Sequence, residues 1–185
     1  IFRILPYQKK KAGIVTTGSE VYYHRIEDKF TPVVIEKLKE CGVTEVKQIQ
    51  CNDDHEMITE AIQTLIEDGS DLIVCTGGMS VDPDDRTPFA IKNACTEVVT
   101  YGTPVLPGAM FMLAYCEKEG RQIPVMGLPG CVMYAKRTIF DLVLPRIMCD
   151  EKLHEKDFRL LGQGGLCLSC PVCTFPNCGF GKGGY

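Results

Sequence analysis

The stretch Asp71-Leu72-Ile73-Val74-Cys75-Thr76-Gly77-Gly78-Met79-Ser80-Val81-Asp82-Pro83-Asp84-Asp85-Arg86-Thr87-Pro88 decides the fold. Its opening residues are apolar without alternation, which suits a strand buried on both faces at the centre of a parallel sheet. The chain then turns through Gly77-Gly78 into a short acidic loop. Thr87-Pro88 follows as a helix start, with Thr at the N-cap and Pro at the first helical position, where a missing N–H costs nothing. The helix would run through Ile91 and Cys95. Strand, polar loop and helix form one unit.

The same unit recurs toward the N-terminus. Ala12-Gly13-Ile14-Val15-Thr16 reads as a buried strand entering Thr17-Gly18-Ser19-Glu20, and Thr31-Pro32 repeats the helix-start signal. Val34, Leu38 and Cys41 share the next helical face, which Gly42 ends. Val43 to Gln50 is a weaker strand, and Asn52-Asp53-Asp54 after it can cap a helix. In that helix Ile58, Ala61, Ile62, Leu65 and Ile66 fall at i, i+3, i+4, i+7 and i+8, and Gly69 ends it.

Toward the C-terminus, Val98 to Tyr101 is a short strand. Phe111 to Cys116 and Ile123 to Gly127 form a hairpin across Glu117-Lys118-Glu119-Gly120. Leu128-Pro129-Gly130 leads into a last helix from about Val132 to Leu144, ended near Pro145, and residues 150–162 form a charged connector. Repeated strand–loop–helix units predict an α/β fold: a three-layer α/β/α sandwich on a mostly parallel sheet. The expected organisation is a domain over 1–150 and a connector with a Cys-rich tail over 151–185.

Composition narrows the partners. The chain has 185 residues, 45% hydrophobic and 24% charged, with net charge −4, so general affinity for nucleic acid or an anionic membrane is not expected. Prolines and glycines interrupt every apolar run before it reaches the roughly 18 residues of a membrane helix. No charged-then-apolar signal segment opens the chain, which points to a cytoplasmic protein. The chain starts at Ile1 and not at Met, as a fragment or processed product would.

Of 11 cysteines, seven lie singly between Cys41 and Cys149 and four crowd into Cys167 to Cys178. The scattered ones read as small core residues in a reducing compartment. Cys167-x2-Cys170-x2-Cys173-x4-Cys178 can close four thiolates around one metal. The spacing is close to a ferredoxin-type run with a longer last gap, which favours an iron–sulfur cluster over Zn²⁺. Disulfides are the remaining option.

Ligands of open α/β sheets sit beyond the carboxyl ends of the strands. Three segments fall there: 16–20, 52–54 and 76–88. Gly77-Gly78 is either a plain turn or a cradle whose N–H groups hold an anion. Asp82, Asp84 and Asp85 are either a solvated turn before the helix or hard ligands for Mg²⁺, with Asp82 and Asp85 as candidates. No Gly-x-Gly-x-x-Gly follows the first strand, and no phosphate loop of the Gly-x-x-x-x-Gly-Lys-Ser/Thr type is present. His24, His55 and His154 lack metal-ligand spacing, and Ser19 and Ser80 lack an identifiable His partner.

Taken in order, Thr-Thr-Gly-Ser-Glu (16–20), Asn-Asp-Asp (52–54), Thr-Gly-Gly-Met-Ser-Val-Asp-Pro-Asp-Asp-Arg-Thr-Pro (76–88), Pro-Gly (107–108) and Gly-Leu-Pro-Gly (127–130) resemble the molybdopterin-binding domain family over about residues 12–148. The family includes molybdopterin adenylyltransferases and the central domain of molybdopterin molybdotransferases. The resemblance implies a three-layer fold, assembly as a homo-oligomer (trimer or dimer), and molybdopterin or its adenylylated form as ligand, with ATP or molybdate as co-substrate. It also implies that Thr17, Gly18, Ser19, Glu20, Thr76, Gly77, Gly78, Ser80, Pro129 and Gly130 bind the ligand. Asp53 and Asp85 match acidic positions associated with Mg²⁺ and phosphoryl chemistry, and are the candidate catalytic groups. Such chemistry needs positioning and charge neutralisation more than a covalent nucleophile.

Several positions depart from the pattern. Leu106 and Ala109 stand where lysines commonly flank the Pro-Gly turn, and Cys131-Val132 stands where Asn-Pro is common. Thr-Gly-Gly-Met-Ser-Val is closer to the molybdotransferases and Asp85-Arg86-Thr87-Pro88 to the adenylyltransferases. The expected function is molybdopterin binding in cofactor biosynthesis, by adenylyl transfer or molybdate insertion. The alternative is a non-catalytic module that delivers molybdopterin to a redox partner through the tail.

Overall fold

A computed structural model describes residues 4–183; the chain start at Ile1 lies outside them. In chain order the elements are β1 (Lys11–Thr17), α1 (Ser19–Tyr22), α2 (Phe30–Glu40), β2 (Glu45–Cys51), α3 (His55–Glu67), β3 (Leu72–Thr76), α4 (Thr87–Ala94), β4 (Glu97–Tyr101), β5 (Met112–Lys118), β6 (Arg121–Leu128), α5 (Cys131–Tyr134), α6 (Ile139–Met148) and α7 (Glu155–Leu160), with a 3₁₀ turn at Leu161–Gly164. The six strands form one sheet in the order β2-β1-β3-β6-β5-β4. β2, β1, β3 and β6 run parallel, and β5 and β4 continue antiparallel. The fold is the expected α/β/α sandwich.

Side-chain alternation along the central strand builds both layers. Leu72 and Val74 of β3 face one core, with Val34 and Leu38 of α2 and Phe140, Val143 and Leu144 of α6. Ile73 and Cys75 face the other, with Ile58, Ile62 and Leu65 of α3 and Ala90 and Ile91 of α4. Hydrogen-bonded to β1 and β6 and covered on both faces, β3 is wholly buried. Among the described residues no helix is long and apolar enough to cross a membrane.

Helix boundaries differ from the expectation in informative ways. α2 begins at Phe30, one residue before Thr31, because the Asp28 carboxylate accepts from the N–H groups of Phe30 and Thr31. The Thr31 hydroxyl instead meets Thr16 Oγ1 at 2.8 Å. Likewise Arg86 holds the N-cap of α4, and the Thr87 hydroxyl lies 3.2 Å from Thr17 Oγ1. Adjacent residues of a strand point to opposite faces, so Thr16 and Thr17 tie one helix on each side to the end of β1. Asp54 does cap α3 as expected, accepting from Glu56 and Met57 N–H.

The expected helix from Val132 to Leu144 is two helices. Ala135 is extended, and Thr138 and Asp141 form a capping box that restarts the chain as α6. Pro145 lies inside α6 rather than after it. The lost hydrogen bond is outweighed by burial of Ile139, Phe140, Val143, Leu144, Ile147 and Met148. The charged connector contains α7, whose Phe158 is buried in the first core 6.0 Å from the Phe111 ring. The tail folds back on that core through Phe175, Cys178 and Phe180.

Candidate functional site

Parallel register places four strand ends side by side: Thr17 pairs with Cys51, Thr16 with Thr76, and Thr76 with Leu128. The segments beyond them, 16–20, 52–54, 76–88 and 129–130, therefore gather on one edge of the molecule. Their polar groups knit the loops together. The Ser19 N–H donates to Asp53 Oδ2 at 2.8 Å, joining the first loop to the second. Thr17 reaches Thr87 across the third.

The glycine pair is required by this nesting. Gly77 and Gly78 have φ of +86° and +54°, and a Cβ on Gly77 would stand 2.3 Å from the Thr17 carbonyl oxygen. A Cβ on Gly78 would stand 2.8 Å from Thr87 Oγ1. Close approach of the first and third loops thus accounts for both glycines, which are half-buried there. Gly18, with φ +131°, turns the first loop into α1, where Glu20 is exposed in the first turn.

The acidic loop is organised around Ser80. Asp85 Oδ2 accepts from the Ser80 N–H at 2.5 Å and from its hydroxyl at 2.8 Å. The Asp82 N–H donates to Ser80 Oγ, and the Asp84 N–H to Asp82 Oδ1. Thr76, by contrast, is buried, and its hydroxyl has no hydrogen-bond partner among the described residues. Such a group carries the cost of desolvation.

Ser80 lines two clefts. One, of about 520 Å³, is lined by Met79, Ser80, Pro129 and Gly130 together with Leu106 and Leu166. The other, of about 670 Å³, lies against Asp82, Asp85, Phe89 and Tyr101. Tyr101 and the tail residues around Leu166 are contributions the sequence reading missed. Tyr101 sits across the sheet, and nothing local marks it. Burial, with the Asp85 charge beside it, raises the Tyr101 pKa above its ordinary value.

The carboxylates do not gather into a metal set. Asp53 serves the first loop and Asp85 serves Ser80. Cys167, Cys170, Cys173 and Cys178 line one cavity of about 360 Å³ beside Tyr134 and Phe175. Yet among the described residues no three His, Cys, Asp or Glu side chains are arranged to hold a metal ion. The four tail cysteines therefore line a cavity without forming a ready ligand set, and Asp82 and Asp85 belong to no group of three such side chains.

Known proteins resemble this chain in sequence and in fold. A CinA-like protein of Mycobacterium tuberculosis is 35% identical over 85 residues, 46% of this chain and 20% of that protein. The chain therefore spans about a fifth of the length of the curated relatives it matches. Among solved structures, the tungsten cofactor synthesizing protein MoaB from Pyrococcus furiosus superposes with a TM-score of 0.57 at 23% identity, covering 68% of this chain and 84% of that one. The molybdopterin biosynthesis enzyme MoaB from Thermus thermophilus gives 0.58 at 19% identity, covering 77% and 98%. These likenesses show the fold. The model of the family described as "probable molybdopterin binding domain" matches residues 13–148, every strand-end loop included, and the chain belongs to that family.

Proposed function

We propose that the chain binds molybdopterin at the four-loop edge and acts in molybdenum cofactor biosynthesis. One observation carries this: Gly77-Gly78, nested on Thr17, leads directly into Met79 and Ser80, which with Pro129 and Gly130 line an uncharged cleft. Backbone N–H groups suit the terminal phosphate, and an uncharged cleft suits the flat pterin.

Two reactions are consistent with the family. In adenylyl transfer the molybdopterin phosphate attacks the α-phosphorus of ATP and releases pyrophosphate, with Mg²⁺ arriving on the nucleotide. In molybdate insertion the oxyanion would need positive charge, which Leu106 and Ala109 do not provide. Adenylyl transfer is the better fit. The second reading, binding and delivery without turnover, is favoured by Asp53 and Asp85, whose carboxylates are both engaged in holding loops. In either case a homo-oligomer in the cytoplasm is the expected setting. An iron–sulfur cluster or Zn²⁺ in the tail would require the four cysteines to move together.

Anaerobic titration with molybdopterin, followed by chromatography after adding MgATP or molybdate, separates these readings. Saturable binding with an adenylylated product supports the enzyme. Binding without product supports delivery, and no binding refutes both.

A further inference from the structure

Residues 163–183 lie beyond the segment that matches the family, yet the tail is packed into the molecule. The Leu106 N–H donates to the Gly165 carbonyl at 2.7 Å, and the Cys167 N–H donates to the Leu106 carbonyl at 2.8 Å. Leu106 and Leu166 thereby form a parallel β-bridge. Gly165 is pressed so close that a Cβ would stand 2.1 Å from the Pro104 carbonyl oxygen. Behind it, the Gly181 N–H donates to the Gly164 carbonyl at 2.8 Å, and Phe180 is buried in the core. The bridge is held from both sides.

Both residues of this bridge line the cleft that Ser80, Pro129 and Gly130 also line. None of the cleft's lining residues is charged, so it offers no side-chain charge to a phosphate. Leu106 and Leu166 are 55% and 62% exposed, with apolar faces that nothing in the described chain covers. Burial of such faces against a flat heterocycle is favourable. We propose that the tail is a wall of the ligand site, with Leu166, beside Leu106, packing against the pterin ring while the phosphate lies toward Gly77-Gly78. The proposal rests on the molybdopterin reading above, and it assigns binding to a segment outside the family's own boundaries.

The test is the anaerobic affinity of the full chain for molybdopterin, by equilibrium dialysis with detection of the pterin, in wild type, Leu166→Ala, Leu166→Met and Leu168→Ala. Leu168 is exposed and lines the neighbouring cysteine cavity rather than this cleft. Leu166→Ala should weaken binding about tenfold, Leu166→Met should restore most of it, and Leu168→Ala should stay within twofold of wild type. Wild-type binding with Leu166→Ala unchanged overturns the wall and leaves the ligand assignment standing. Equal losses in Leu166→Ala and Leu168→Ala also overturn it, since they indicate general loosening of the tail. No binding by wild type removes the ligand reading, and the wall with it.

Discussion

Asp85 holds Ser80 with a single carboxylate oxygen, which accepts both the backbone N–H and the side-chain hydroxyl. The loop between them, with Val81 81% exposed at its tip, is therefore shaped by one charge-assisted clamp. Asp85→Asn retains an acceptor oxygen but loses the charge, and Asp85→Ala loses the clamp. Both should leave the melting temperature within a few degrees, because the loop is exposed. Molybdopterin affinity should fall modestly in Asp85→Asn and about tenfold or more in Asp85→Ala, given charged hydrogen bonds worth about 1.5–3 kcal/mol each. A full loss of turnover in Asp85→Asn with affinity retained would instead place Asp85 in the chemistry.

Gly77 meets a harder constraint. Alanine there must adopt φ +86° and bring Cβ to 2.3 Å from the Thr17 carbonyl oxygen, which is backbone and cannot rotate away. Left-handed strain alone costs about 1–3 kcal/mol, and the clash forces the two loops apart. Gly77→Ala should lower the urea midpoint and abolish ligand binding. Gly18→Ala is the contrast: its φ is also positive, but nothing lies within 4 Å of the added Cβ. It should destabilise less.

The parts of this molecule legible in the sequence are those whose signal is local. β3 announces itself by an apolar run flanked by turn residues, and α3 by five apolar positions on one helical face above an Asp54 cap. The strand-end loops follow from that alternation. The break between α5 and α6 was less visible, although Lys136-Arg137-Thr138 interrupts the apolar positions there; the Thr138-x-x-Asp141 capping box was the available signal. The clamps within the site depend on side-chain direction. Spacing gives no hint that Asp53 turns to Ser19 and Asp85 to Ser80 rather than to a shared metal. The docking of Gly165 on Leu106 joins residues far apart in the chain, and no periodicity reports it.

Asp141 carries more than its cap. It accepts from Lys37 Nζ at 2.7 and 2.9 Å, from Arg137 at 2.8 Å and from the Thr138 N–H at 2.8 Å, and the Lys37 and Asp141 side chains are only 9% and 4% exposed. Asp141→Ala leaves the Lys37 ammonium buried with only the Lys136 carbonyl and should cost about 3–5 kcal/mol. Lys37→Met should cost less, because Asp141 keeps Arg137 and the Thr138 N–H. Denaturant unfolding of the two variants checks the asymmetry.

Arg146 grips Glu151 through two hydrogen bonds of 2.8 and 2.6 Å and holds its carboxyl below the usual value near 4.5. A depressed carboxylate contributes stability that is present above the unfolded pKa and lost as pH falls through the folded one. Both side chains are about a third exposed, so the contribution at neutral pH is below about 1 kcal/mol. Glu151→Gln should melt slightly lower at pH 7, and the two melting curves should converge toward pH 3. A constant offset across that range would show that packing, not charge, is lost.

The sulfurs of Cys95 and Cys116 lie 2.8 Å apart, joining the end of α4 to β5, and Cys116 also faces the Ala94 carbonyl at 3.2 Å. Their mutual hydrogen bond, with burial, holds the Cys95 thiol up, while the same bond lowers Cys116. Oxidised glutathione should therefore convert this pair to a disulfide, releasing two equivalents of glutathione. Cys51 should stay reduced in the folded protein, because burial pushes its pKa up to about 11. A peptide map without reduction, after alkylation in denaturant, should show a peptide linking 95 to 116, lost in Cys95→Ser. The closed loop should raise stability by about 3 kcal/mol, moving the denaturant midpoint upward. Recovery of both cysteines as alkylated thiols after equilibration with the oxidant would show that the contact does not convert to a bond.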